Sequence, residues 1–445
     1  MNKSIDKIIL EKFRTNYKNP QNISLQNRFK NEMLLDVCLN QAVIDENKFE
    51  FNIELEDCKI YDQHTSLRCW LYSCLNLIKN DIAHNLNMSP MEFELSANYL
   101  SFYDKLEKSN HAYQTIIDYD GEINNFNILD YDNHRFLSEF LKEPAKENGR
   151  IEYARELVKK YGIVPYQVMP DNYNTKDSAQ LIKLFLQKVR VDLYKLIEAK
   201  KAMARDLLKI KETLLQENYN LLCNLIGEPP VVFDYTYKDV NDTTKDLQSI
   251  TPLQFYKKYS SLNLDDFILI GNVPQKSKPY FKKYRKAYSG NIQNSSYVEF
   301  INIPQDMFTE LCITQLKNNL PVCFACENQK YRNKESKILD TRIFDFEKLL
   351  GVEDLTKEQA LDSFDISLKH WMTFRGVHIE NNKPIRWKVE DSAGSESRIN
   401  GYYIMNHNFF EKCVFQAWIH KKFLSKEVLE INKTKPVLFG YNDSV

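Results

Sequence analysis

The chain has 445 residues, enough for two or three structural units at roughly 100–200 residues per domain, and 60 Lys+Arg against 61 Asp+Glu leave it close to neutral. That balance excludes a whole-molecule polycation built to coat nucleic acid, and 13% aromatics with only 11 glycines exclude a disordered or low-complexity chain. Nine scattered cysteines, an odd number without the tight framework of small secreted domains, are read as reduced thiols. With a charged start over Met1 to Phe13 and no run of about 18 apolar residues, the expectation is a soluble, cytoplasmic protein without a membrane span.

Residues 1–60 predict a short helix, a turn at Asn19-Pro20 and a second helical pattern from Met33 to Leu39, a lead-in that packs on a later domain. From Gln63 to Lys79 the chain reads Gln-His-Thr-Ser-Leu-Arg-Cys-Trp-Leu-Tyr-Ser-Cys-Leu-Asn-Leu-Ile-Lys. Leu71, Cys74, Leu75 and Ile78 recur at the spacing of one buried stripe on a helix. Thr65 and Ser66 carry oxygens suited to capping its start, which places Cys69 in the first turn. There the free N–H groups and the positive end of the helix dipole favour a thiolate, and Gln63 is placed to donate an amide hydrogen bond to an oxyanion beside it. By residue type alone, a single cysteine in an apolar helix is more often a core residue than a nucleophile.

Gln63, Ser66, Arg68, Cys69 and Trp70 resemble the Gln-x-x-Ser-Gly-Arg-Cys-Trp signature of the bleomycin hydrolase and aminopeptidase C family of papain-like cysteine peptidases, with Leu67 where the family has glycine. The resemblance implies an α+β papain-like fold, a helical half plus a β-barrel-like half with a large helical insertion. It also implies that Cys69 is the nucleophile and that Gln63 lines the oxyanion hole. Phe93 to Lys108 is similar to the family's next segment, with its Ser-x-x-Tyr-Leu-x-Phe and Asp-Lys-Leu-Glu-Lys runs.

Residues 109–250 are mainly helical by pattern, and Leu181 to Leu225 carry few breakers and many leucines, more a packing surface than a site. Tyr161 to Pro170 reads as a Gly/Pro turn that the family shares, while Asn148-Gly149-Arg150-Ile151 stands where the family has Gly-Gly-Gln-Trp. Strand patterns begin at Val231 to Tyr237, continue at Phe267 to Ile270, and give a buried strand at Pro321 to Cys326. Thr251 to Tyr259 and Leu264 to Phe267 again resemble the family. The Cys323–Cys326 pair lacks the second pair or redox context that a metal or dithiol role requires. Lys276, Lys278, Lys282, Lys283, Arg285 and Lys286 interleave with Tyr280, Phe281, Tyr284 and Tyr288, favoured as a solvated basic turn over a single-stranded nucleic-acid platform.

A nucleophilic cysteine needs a base and a group to orient it. Lys369 to Val377 resembles the family's His-Ala-Met-Thr-Phe-x-x-Val strand, which implies that His370 is the base. Arg386 to Gly394 resembles its Trp-x-Val-Glu-Asn-Ser-Trp-Gly, with Asp391 in place of the orienting asparagine and Ala393 in place of a shielding tryptophan. An aspartate accepts the imidazole N–H and holds the ring charged more firmly, favouring a thiolate–imidazolium pair but weakening the proton donor. In the family the tail enters the cleft and its carboxylate meets the substrate's amine, a role that falls to Val445 here with Asp443 as helper.

The expected division is a lead-in at 1–60, a helical catalytic half at 61–108, a helical insertion for oligomerisation at 109–250, a β-rich catalytic half at 251–435 and a tail at 436–445. The resemblance implies a thiol aminopeptidase acting on peptides with a free N-terminus, without metal or cofactor, in a homohexameric ring. The alternative is a catalytically impaired homologue that keeps the ring as a peptide- or single-strand-binding assembly.

Overall fold

The computed structural model describes residues 4–119, 140–287, 289–295, 297–395, 399–440 and 443–445; part of the expected insertion, and Tyr288 of the basic stretch, lie outside the described residues. Short helices open the chain at Lys7–Tyr17, Pro20–Phe29, Leu34–Cys38 and Gln41–Glu46. Asn19-Pro20 is a helix start and not only a turn. The Asn19 side chain accepts the Asn22 N–H, and proline fits the first helical position because its missing donor has no partner there anyway.

The helix Cys69–Asn85 is the axis of the molecule. The expected stripe is present, but burial runs without a break from Cys69 through Lys79. A helix apolar on all sides is one surrounded by protein. On one side pack the helices Ala97–Asp118 and Ile151–Tyr161, and on the other the strands Val322–Cys326 and His370–Glu380. Gly162, at φ +77, ends the Ile151–Tyr161 helix, and a Cβ there would lie 2.2 Å from the Pro252 main chain, so both conformation and space require glycine. The leucine-rich stretch from 181 to 225 is two helices, Ala179–Lys201 and Leu207–Ile226. They are separated where Met203 takes φ +53, and Asp206 caps the second by accepting the Lys209 N–H. The strands Phe233–Lys238 and Thr244–Ile250 form a separate hairpin.

The β half is a twelve-stranded sheet, at whose centre the strands Phe267–Gly271, Val414–His420, Val322–Cys326, His370–Glu380, Lys383–Glu390 and Tyr402–Asn406 lie in that order. Its register sets His370 opposite Cys326 and Thr373 opposite Glu390. One core fills the helical half around Leu71, Phe102, Leu157 and Leu193, and a second lies under the sheet around Phe324, Phe374, Trp387 and Phe410.

The two halves meet along the Cys69 helix through polar contacts that specify register. Ser73 Oγ donates to the Met372 carbonyl at 2.9 Å, and Cys323 Sγ donates to the Ser73 carbonyl at 3.0 Å. Two turns further on, Lys79 Nζ meets Glu390 Oε1 at 2.6 Å with both side chains shut off from solvent, and also donates to the Lys59 carbonyl at 2.6 Å. Removing one member of a buried ion pair strands the other in low dielectric. Glu390→Gln is therefore expected to lower stability by about 3–5 kcal/mol in urea denaturation, and an unchanged midpoint would contradict a structural role for the pair.

Candidate active site

Cys69 is the first residue of its helix, with Arg68 at the cap position and no side chain taking up the first N–H groups. Thr65 and Ser66 do not cap it, contrary to expectation: Thr65 Oγ1 donates to Asp177 Oδ1 at 3.0 Å, and Ser66 Oγ donates to the Gln63 carbonyl at 2.6 Å. The helix starts too late for either to reach, and Arg68 is committed instead to a buried ion pair with Asp171 at 2.8 Å. The uncapped helix start leaves donors and a positive dipole end beside the sulfur. Cys69 itself is 9% exposed, on the wall of a cleft of about 440 Å³ shared with Leu67, Trp70, Trp371 and Ser444.

His370 begins its strand. Its Nε2 lies 2.7 Å from Asp391 Oδ1, which leaves Nδ1 as the ring nitrogen available to Cys69. Burial opposes charge on the ring, but the charges of Asp391 and Cys69 and their hydrogen bonds outweigh it and push His370 up to about 10. Burial likewise opposes ionisation of Asp391, yet His370 holds its carboxyl below the usual range, and the Ser392 N–H adds a bond to Oδ1 at 2.9 Å. The pair therefore sits as aspartate and imidazolium.

Gln63 joins the same cluster through its main chain, because its N–H donates to the Ser392 carbonyl at 2.8 Å and Asp62 pairs with Ala393. Its carboxamide oxygen is buried and has no partner among the described residues. Gly394, at φ +76, packs against Asp62, and a Cβ there would sit 3.0 Å from Asp62 Oδ2. Ala393 is exposed, so no large ring covers the His370–Asp391 pair from that position. Leu67 takes φ +57, the left-handed region that suits the glycine of the resembled signature, and is 54% exposed.

The tail also reaches the cleft: Asp443 and Ser444 line it, and the Leu368 N–H donates to the Ser444 carbonyl at 2.8 Å, two residues before His370. Asp443 is no free helper for an amine, because its Oδ2 is bound by buried Lys278 at 2.7 Å. Val445 is buried, and its carbonyl oxygen accepts from Lys286 Nζ at 3.1 Å. These contacts, invisible as pairs in the sequence, explain the basic stretch. It is no solvated turn but largely a strand, Lys282–Lys286, in which Lys283 and Arg285 pair with Glu299 at 2.7 and 2.6 Å and Tyr284 is buried. Lys276 and Lys282 remain exposed. Cys323 and Cys326 are buried in their strand, where burial pushes Cys323 up to about 12 and Cys326 well above the thiol range. No group of three or more metal-ligating side chains occurs among the described residues.

Residues 4–445 match the Peptidase C1-like family. Aminopeptidase C of Listeria innocua is 34% identical over 388 residues, 87% of this chain and 86% of that protein. Human bleomycin hydrolase is 26% identical over 431 residues, 94% of this chain and 93% of that protein. The crystal structure of PepW from Lactobacillus rhamnosis superposes with a TM-score of 0.94 at 30% identity, covering 100% of this chain and 99% of that one.

Leu67 carries left-handed strain of about 1–2 kcal/mol, partly offset by the entropy that glycine loses on folding. Leu67→Gly is therefore expected to raise stability by about 0.5–1 kcal/mol in thermal denaturation; a loss of stability would show that the exposed side chain contributes more than its backbone costs.

Proposed function

This chain belongs to the Peptidase C1-like family, and we propose that within it the chain is a thiol-dependent aminopeptidase whose reacting groups are Cys69, His370, Asp391 and Gln63. The observation that carries this reading is the His370–Asp391 hydrogen bond together with the charge of Cys69 acting on the same ring, Cys69 standing at the start of a central helix on the wall of a cleft. The names of the relatives, aminopeptidase C and bleomycin hydrolase, support the reaction class.

In this mechanism the Cys69 sulfur attacks the carbonyl carbon of the first peptide bond. As the C–S bond forms, the carbonyl electron pair moves to oxygen, where the Gln63 amide and the uncapped helix start stabilise it. His370 Nδ1 gives its proton to the leaving nitrogen as the C–N bond breaks, leaving a thioester. Water then attacks the thioester, His370 takes a proton from it, and the C–S bond breaks to release the amino acid and restore the thiolate. Asp391 holds the ring in place and charged. That keeps the imidazolium beside the sulfur and makes proton donation to the leaving amine harder, so acylation is the step this carboxylate slows.

The tail supplies the exopeptidase limit. With Asp443 and Ser444 in the cleft, chain on the amino side of the scissile bond is blocked, while Val445 itself is buried with its oxygen on Lys286 and is not open to the substrate's ammonium. Self-association is part of the reading: Val191 and Tyr194 on the Ala179–Lys201 helix and Ile5, Ile8 and Phe13 near the start are large exposed apolar groups suited to contacts in a homohexamer. Nine cysteines without a disulfide support a reducing, cytoplasmic setting. No helix among the described residues is long and apolar enough to cross a membrane.

Cys69→Ala is expected to reduce turnover of aminoacyl fluorogenic amides by at least about 10³-fold without unfolding the protein; retained turnover would remove Cys69 from the mechanism. The His370 value also predicts a pH profile. The ring must be charged in the resting enzyme, and a pKa pushed up to about 10 keeps it so through neutral pH, which sets the alkaline limb of kcat/KM near that value. Asp391→Asn removes the charge that raises it, so the alkaline limb should move to lower pH by at least about one unit. An unmoved limb would mean that Asp391 does not govern His370.

A further inference from the structure

The cleft beside Cys69 is lined by several cations, and most of them are already matched. Lys108 pairs with Asp104 at 2.6 Å, Lys146 with Glu143 at 2.6 Å, and Lys369 with Glu327 at 2.6 Å. Arg150 is different. Its guanidinium has no hydrogen bond or ion pair among the described residues, and Nη1 is buried without a partner. Lys286 lines the same cleft and bonds only oxygen atoms of Asp443 and Val445 among the described residues.

The position of Arg150 relative to the nucleophile follows from its neighbour. Gly149 lies so close to Trp70 that a Cβ there would be 2.3 Å from the indole, and Trp70 directly follows Cys69. The main chain of Gly149 and Arg150 therefore passes the residue next to the sulfur, with the Arg150 side chain on the same cleft. Arginine cannot shed its charge to escape burial, unlike lysine. Burying a guanidinium nitrogen without an acceptor is costly, and such atoms in folded proteins are normally satisfied. Burial depresses Arg150 despite the charges of Glu152 and Asp443, and burial first, then the charge of Arg150, push Lys286 down to about 7. A carboxylate entering the cleft relieves both costs, and its two oxygens match the fork of a guanidinium.

We propose that Arg150 makes the cleft selective for peptides whose N-terminal residue has a carboxylate side chain, glutamate or aspartate, the guanidinium pairing with that carboxylate while Lys286 adds positive potential. The proposal rests on the aminopeptidase reading for its consequence in catalysis, but the binding selectivity it describes is measurable without turnover. A site built around an unpaired charged group discriminates strongly against an analogue lacking the complement, since the group is then left buried and unsatisfied.

The test compares Glu-Ala-Ala with its isostere Gln-Ala-Ala. By calorimetry on Cys69→Ala protein, the glutamyl peptide is expected to bind at least tenfold more tightly, and adding Arg150→Gln should bring the ratio close to one. In turnover by the native protein, kcat/KM for glutamyl over glutaminyl fluorogenic amides should show the same preference, carried in KM. Arg150→Lys should retain part of it and Arg150→Glu should reverse it in favour of lysyl amides. Equal binding of the two peptides to the Cys69→Ala protein overturns the proposal. So does an Arg150→Gln variant that weakens both substrates alike, which would make Arg150 a support for the tail. Selective binding without any turnover by the native protein would leave the selectivity standing and defeat the aminopeptidase reading instead. Turnover of neutral and acidic amides at equal efficiency would do the opposite.

Discussion

The structure depends on one seam, where the Cys69 helix lies against the strand that starts at His370. A nucleophile and its base on separate halves of a chain work only if the halves hold one register, because a one-residue slip of a strand turns every side chain to the other face. Apolar packing is too tolerant to set that register alone. The buried contacts between Ser73 and Met372, Cys323 and Ser73, and Lys79 and Glu390 are directional, and each links the helix to a different strand. Glu390 is also the residue before Asp391. The ion pair that joins the halves therefore ends one peptide bond away from the carboxylate that orients the base, and Gln63 is tied to the same loop through Ser392.

An acid at position 391 changes the electrostatics of the cluster more than its geometry. An amide would orient His370 equally well at 2.7 Å, but it would not raise the ring to about 10 against the cost of burial. Ala393 is exposed, yet the pair stays buried, with the His370 and Asp391 side chains 12% and 4% exposed, so its charges are little screened. Leu67 adds a backbone cost two residues before Cys69 with little packing to offset it, since the side chain is 54% exposed. All three departures from the resembled signatures thus lie around Cys69, His370 and Asp391.

Much of this was legible in the sequence. Local signals marked the Cys69 helix, the strand at Val322–Cys326 and the turn at Gly162, because periodicity and glycine punctuation act over a few residues. The four site residues came from motif resemblance, and the structure brings Cys69, His370 and Asp391 into one line, with Gln63 bound to the adjoining loop. What the sequence did not disclose were pairings between distant residues. Thr65 looks like a cap, but the distant Asp177 claims its hydroxyl, while Ser66 turns back locally onto the Gln63 carbonyl. The basic stretch looks solvated because Asp443, the partner of Lys278, is far away in the chain and Glu299 meets Lys283 and Arg285 only through strand pairing. Lys79, followed directly by Asn80 and Asp81, reads locally as the polar end of the apolar stripe, and only the fold shows that it is buried against Glu390.

The central claim is that Cys69 accepts the acyl group of the substrate, and trapping that adduct tests it most directly. With an aminoacyl ester the leaving group departs readily, so the thioester accumulates ahead of its hydrolysis. Acid quenching within the first turnovers and subsequent peptide mass spectrometry should then show the aminoacyl mass on the fragment containing Cys69, and none in Cys69→Ala protein. Ester consumption with no adduct on that fragment, or an adduct on another of the nine cysteines, would contradict the account.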